Sequence, residues 1–269
     1  MSQPDKASRP AVLITGAAAG IGRAIAARFA RAEWTVGLYD IDADAVAETA
    51  GQIGGRTVTG AFDVTDPAGW DRALHEFTNA TGRLDLLVNN AGILVSGAFG
   101  DIGLERQHRV VDVNIKGVLN GCHAALPYLR RTPGSRVINL ASASALYGQP
   151  GLAAYGASKA AVRSLTEALD LEWRHYGITV SDLLPLFVAT DMMTEVNAGS
   201  KSASTLGVRL TPEDVAEAVW HTATGRRTLR GPHVLVGLQT KLTGLAQRLS
   251  PPFVTRAIVG WISKADSLH

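Results

Sequence analysis

Ala11-Val12-Leu13-Ile14-Thr15-Gly16-Ala17-Ala18-Ala19-Gly20-Ile21-Gly22 is the stretch whose reading decides the fold. Its first five residues form an apolar run, as expected of a strand covered on both faces. Three glycines follow, and from Gly20 to Ala32 the residues Ile21, Ile25 and Phe29 recur every four positions, on one face of a helix. A strand, a glycine-rich turn and a helix in this order bring backbone N–H groups to a helix N-terminus, where a pyrophosphate can be held. Gly16, Ala18, Gly20, Ile21 and Gly22 are therefore candidate cofactor-binding residues. The first two glycines are separated by three residues, unlike the common dinucleotide spacing, so an ordinary turn is the plain alternative.

The same theme repeats down the chain. Strands are expected at Thr35–Tyr39, Thr57–Phe62, Leu84–Val88, Arg136–Leu140 and Ile178–Leu184, with a short seventh at Val234–Val236. Helices are expected at 43–51, 70–80, 104–129, 154–175 and 212–224. Gly117 and Gly121 fall inside the third of these, where each costs about 1 kcal/mol against alanine and so implies close packing against a neighbouring backbone. Alternating strands and helices imply an α/β fold: a doubly wound (Rossmann) parallel sheet of about seven strands with helices on both faces. Residues 1–269 read as one domain, with 1–10 flexible and 238–269 an amphipathic extension.

Composition narrows the function classes. Formal net charge is +2 over 269 residues, which makes no case for nucleic acid. Cys122 is the only cysteine, so no intramolecular disulfide forms, as suits a reducing compartment. The polar opening residues do not look like a secretion signal, and no apolar run reaches the roughly 18 residues of a membrane span. A cytoplasmic location is expected. No Cys/His cluster offers a metal site.

Two features carry chemistry. Asp40 closes the second strand, where a carboxylate accepts hydrogen bonds from both ribose hydroxyls of a dinucleotide and repels a 2′-phosphate. Ala18, Ala19 and Ile41 supply no cation there, so NAD is expected rather than NADP; a simple turn or cap role is the alternative for Asp40. Tyr155 and Lys159 lie four residues apart on one helix face. An ammonium beside a phenol is expected to lower the phenol's pKa and make it an acid/base at an alcohol or carbonyl oxygen.

Thr15-Gly-Ala-Ala-Ala-Gly-Ile-Gly22, Asn89-Asn90-Ala91-Gly92 and Tyr155-Gly-Ala-Ser-Lys159 together resemble the fingerprint of the short-chain dehydrogenase/reductase family, over roughly residues 11–190. The resemblance implies a nicotinamide-dependent interconversion of alcohol and carbonyl. It assigns Ser142 to the substrate oxygen, Asn114 to a proton-relaying water, and Lys159 also to the nicotinamide ribose. It places Asp63 and Val64 at the adenine and Asn90, Ala91 and Gly92 along the cofactor. Ser144 matches no role and reads as structural. Pro185, Val188 and Thr190 match nicotinamide contacts, but Leu186 stands where relatives usually carry glycine and is expected to reshape the substrate pocket.

The residues from Leu186 to Leu210 read as a lid. Leu94, Val95, Leu146, Tyr147, Leu152, Phe187, Met192 and Met193 make its surroundings apolar. A hydrophobic secondary alcohol or ketone, alicyclic, steroid-like or acyl, is the expected substrate. Leu238, Leu242, Leu245 and Leu249 form one apolar stripe in the tail, and Phe253, Ala257, Ile258, Trp261 and Ile262 a second. This tail is expected to pack on a partner subunit or over the active site, ahead of membrane-surface contact. The resemblance also implies a homodimer or homotetramer, with the helices around Gly117 and Ala160 as the interface. The rival readings are an NADP-dependent carbonyl or 3-oxoacyl thioester reductase and, remotely, a non-catalytic dinucleotide sensor.

Overall fold

The computed structural model describes residues 9–192, 207–225 and 231–263. Strands β1 (Ala11–Thr15), β2 (Thr35–Asp40), β3 (Arg56–Ala61), β4 (Leu86–Asn89), β5 (Arg136–Leu140), β6 (Thr179–Leu184) and β7 (His233–Leu235) form one sheet in the order β3-β2-β1-β4-β5-β6-β7. All neighbouring pairs are parallel. Helices α1 (Gly20–Arg31), α2 (Ala43–Ile53), α3 (Pro67–Thr81), α4 (Leu104–Val111), α5 (Gly117–Leu129), α6 (Ala153–Glu172) and α7 (Pro212–Thr224) cross between them, followed by α8 (Leu238–Leu249) and α9 (Pro252–Ser263).

The continuous apolar runs of the central strands explain why both faces are covered. Val12, Ile14, Val36 and Leu38 pack with Ile25 and Phe29 of α1 and Val215 and Val219 of α7. Ala11, Leu13, Leu87 and Val137 face the other way, onto Trp70 and Phe77 of α3, Val118 of α5 and Val162 of α6. Burying a large apolar side chain contributes about 1.5–3 kcal/mol, so this two-sided core is the main term holding the sheet. Asp182, fully buried in β6, is tolerated because it accepts from Nδ1 of His233 in β7 at 3.0 Å.

Sequence order reverses between β1 and β4: β2 and β3 run out to one side of β1, and the later strands to the other. Such a switch point opens a crevice at the carboxyl ends of the strands, and that is where the cleft lies.

Several expectations need correction. β3 spans Arg56–Ala61 and α3 begins at Pro67, where Asp66 accepts from the Ala68 N–H and caps the helix. The long helix from Leu104 to Leu129 contains one π-helical stretch, Asp112–Lys116. Helix α6 ends at Glu172 and gives way to a short 3₁₀ turn, Trp173–Tyr176. Gly117 and Gly121 do mark close packing, but against side chains rather than a neighbouring backbone: an added Cβ would lie 2.8 Å from Val64 and 2.7 Å from Trp70 respectively. The expected tail stripe keeps an apolar face: Leu238, Leu242 and Leu245 are exposed on the single chain, while Thr240 is buried and Gly244 packs on Leu235 of β7. Phe253 is exposed as well, while the side chains of Leu249, Ala257, Ile258, Trp261 and Ile262 lie outside the described residues. Residues 1–8 and 193–206, including Met193 and most of the expected lid, also lie outside them.

Candidate active site

The turn after β1 is shaped by glycine where nothing else fits. Gly16 and Gly20 have φ of +66° and +52°, and a Cβ on Gly22 would sit 1.9 Å from the Gly16 carbonyl oxygen. Helix α1 therefore starts tight against β1, with no side-chain cap and no acidic residue in its first turn. Its opening N–H groups and positive dipole end are left to an anion. Asn90 braces the turn from β4, donating from Nδ2 to the carbonyls of Thr15 and Gly16 at 2.9 and 3.0 Å.

A cleft of about 390 Å³ runs from this turn across the strand ends. Gly16, Gly20, Ile21, Asp40, Asp63, Val64, Asn90, Ala91, Gly92, Pro185, Val188 and Thr190 all line it. Ala18 and Gly22 do not. The Ala18 N–H is spent on Asp40 Oδ2 at 3.1 Å, and Gly22 serves packing. Asp40 also accepts from the Ile41 N–H at 2.7 Å, so the turn orients its carboxylate.

Ser142, Tyr155 and Lys159 share the other part of the wall. Ser142 is set by the end of β5, and Tyr155 and Lys159 by the first two turns of α6. Lys159 is buried and donates from Nζ to the Leu140 carbonyl at 2.7 Å; its Nζ lies 5.7 Å from the Tyr155 ring centroid. Asn114 is fully buried in the π-helical stretch and does not line the cleft. Its amide bonds both ways with the Ile93 backbone and donates to Ser158 Oγ at 3.0 Å. A π-turn inserts an extra residue into the helix and re-aims side chains, and such turns recur at functional sites. Asn114 Oδ1 and Lys159 Nζ nevertheless converge: a Cβ on Gly92 would lie 3.3 and 3.4 Å from them.

The electrostatics differ from the expectation. Burial pushes the Tyr155 phenol up, only partly offset by its hydrogen bond with Ser142. Burial likewise brings Lys159 down to about 8. The protein alone therefore holds Tyr155 as a neutral phenol rather than a ready phenolate, because desolvation outweighs the Ser142 hydrogen bond.

A prediction follows from Lys159. Its folded pKa lies below its unfolded value, so between about pH 8 and 10.5 the unfolded chain binds the extra proton and stability rises with pH. Lys159→Met should remove a contribution of roughly 3 kcal/mol across that window. Unfolding free energies of both proteins from pH 7.5 to 10.5 check this; a constant difference would mean that Lys159 titrates normally.

Some residues of the cleft wall escaped the sequence reading. Arg109 of α4 lines the cleft and pairs with Asp63 at 2.8 Å, holding that carboxyl below its usual range. Ser144, read as structural, and Gln149 also line it. No local pattern marks these three, since each is brought in by tertiary packing. Leu94, Leu152, Leu186, Phe187 and Met192 form the apolar part of the wall. Val95, Leu146 and Tyr147 do not, and Leu146 turns instead toward Gly244 of α8.

A doubly wound parallel sheet, an uncapped glycine turn at its switch point and a Ser/Tyr/Lys wall define a nicotinamide dinucleotide-dependent oxidoreductase. The chain belongs to the short-chain dehydrogenase/reductase family: the family model described as short chain dehydrogenase matches residues 10–201. It is similar to sulfoacetaldehyde reductase 2 of Chromohalobacter salexigens, 37% identical over 79% of this chain and 88% of that protein. Meso-2,3-butanediol dehydrogenase of Serratia marcescens is 35% identical over 76% of this chain and 83% of that one. Among solved structures, 3-ketoacyl-(acyl-carrier-protein) reductase from Brucella melitensis complexed with NADH superimposes with a TM-score of 0.78 at 29% identity, covering 86% of this chain and 97% of that one. No helix among the described residues is long and apolar enough to cross a membrane.

Proposed function

We propose that the chain interconverts a secondary alcohol and a ketone using NAD(H). The observation carrying this reading is that Ser142, Tyr155 and Lys159 line the same cleft as Asp40 and the α1 N-terminus. Asp40 ends β2 and Ser142 follows β5, three strand spacings away, or about 14 Å, a span suited to an extended dinucleotide. Bound there, the nicotinamide would supply or accept the hydride. Tyr155 donates its proton to the carbonyl oxygen in reduction and takes it back in oxidation, and Ser142 steadies the same oxygen. Lys159 holds positive charge beside the phenol, and Asn114, converging with it on Gly92, positions the water through which the proton is relayed to Lys159.

The apolar side chains of the wall favour a hydrophobic or small alcohol. That several relatives are a butanediol dehydrogenase, a cyclopentanol dehydrogenase and a sulfoacetaldehyde reductase supports a compact alcohol or carbonyl. We assign the protein to the cytoplasm and to a homo-oligomer built on α5 and α6, where Leu119 and Leu171 are exposed.

The rival reading, an NADP-dependent reductase, has one observation in its favour: Arg109 lines the cleft. That guanidinium is already paired with Asp63, and Asp40 faces the cleft with a carboxylate. Titration with NADH and NADPH, followed by nicotinamide fluorescence, tests the choice. NADH should bind at least about tenfold more tightly, and Asp40→Ala should shrink that gap. A preference for NADPH would move the function to carbonyl reduction, and binding of neither would point to a dinucleotide-independent role.

A further inference from the structure

Among the described residues, buried side-chain polar atoms with no hydrogen-bond partner are few, and two of them belong to residues lining the cleft. They are Oγ of Ser144 and Nε2 of Gln149, in residues only 6% and 5% exposed. Buried polar groups are paired in nearly all proteins, so two unpaired ones in residues of a reactive cleft wall point to a ligand that completes them.

Both residues are held in place. The Ser144 N–H donates to Ser142 Oγ at 3.2 Å, which puts Ser144 directly beside the group that meets the reacting oxygen. Gln149 opens the turn Gln149-Pro150-Gly151-Leu152. The Leu152 N–H donates to the Gln149 carbonyl at 3.1 Å, with proline second and a glycine at φ +80° third, the pattern of a type II turn. Proline presets that turn and Gly151 alone suits its third position, so the Gln149 backbone is pinned just before α6 begins. The Gln149 amide nitrogen has no acceptor among the described residues, and it shares the cleft wall with the apolar side chains of Leu94, Leu152 and Phe187.

We propose that Gln149 and Ser144 form a second polar subsite that binds an oxygen next to the reacting one, so that the substrate is a dioxygenated compound such as a vicinal diol or an α-hydroxyketone. This rests on the alcohol–ketone reading above and sharpens it. The Gln149 amide donates to the second oxygen, and the Ser144 hydroxyl donates or accepts according to whether that oxygen is a carbonyl or a hydroxyl. A simple alcohol of the same carbon skeleton leaves both groups unpaired, and sites built to hydrogen-bond a substrate group reject analogues lacking it.

The test is steady-state oxidation of matched pairs, 2,3-butanediol against 2-butanol and cyclopentane-1,2-diol against cyclopentanol, by wild type, Gln149→Leu and Ser144→Ala, with NAD⁺ and separately NADP⁺. The expected wild-type kcat/KM ratio favours the diol by roughly 10- to 100-fold, and Gln149→Leu lowers that ratio at least about tenfold. Ser144→Ala lowers it in the same direction and stands in if Gln149→Leu does not fold. Oxidation of both partners with a ratio that neither substitution changes would overturn the subsite and leave the alcohol–ketone reading intact. Oxidation of none of the four alcohols with either cofactor would overturn both.

Discussion

Tyr155→Phe should lose about 10²- to 10⁴-fold in turnover while still binding NADH. The substitution removes one oxygen from a side chain whose ring stays in the same wall of the cleft, so packing changes little. It removes the only proton that the proposed chemistry moves directly. Ser142 cannot replace it, because an aliphatic hydroxyl titrates far above working pH. The raised phenol pKa adds a direction: at neutral pH the wild-type group is protonated, which suits reduction, and oxidation should accelerate as pH rises. Stopped-flow hydride transfer with NADH binding measured alongside separates the two effects. Turnover within a few-fold of wild type would remove Tyr155 from the acid/base role.

Gly22→Ala is the second large effect, and it works through shape. The added methyl would lie 1.9 Å from the Gly16 carbonyl oxygen and 2.7 Å from Asn90 Nδ2. Neither atom is a flexible side-chain end: one is backbone at the turn, and the other is the brace that bonds to it. Helix α1 must therefore move away from β1, taking its N–H groups out of register with the cleft. Overpacking of this kind costs about 1–3 kcal/mol in stability. NADH affinity should fall by roughly 10- to 100-fold on top of that, since the anion site depends on the turn's geometry. Gly51→Ala is the control: it lies in α2 with nothing within 4 Å of the new methyl, and should be neutral or slightly stabilising. Equal losses in the two variants, by thermal unfolding and NADH titration, would show that the turn is not the sensitive element.

The sequence by itself determined the parts whose signals are local. Apolar runs of strand length, the four-residue spacing of Ile21, Ile25 and Phe29, and the glycines of one turn identify a doubly wound sheet. Each follows from backbone periodicity and sterics that act within a few residues. Tyr155 and Lys159 were legible for the same reason, being one helical turn apart. What only the tertiary structure decided depends on residues far apart in the chain. Arg109 meets Asp63 across 46 positions, and a π-turn re-aims Asn114 beside Lys159. The face that α8 turns to the sheet was also decided there: Gly244 packs on Leu235 of β7, while Leu238, Leu242 and Leu245 are exposed. The sign of the Tyr155 shift was decided the same way. A four-residue spacing places a charge near the phenol, but the extent to which water is excluded from both groups is set by everything packed around them.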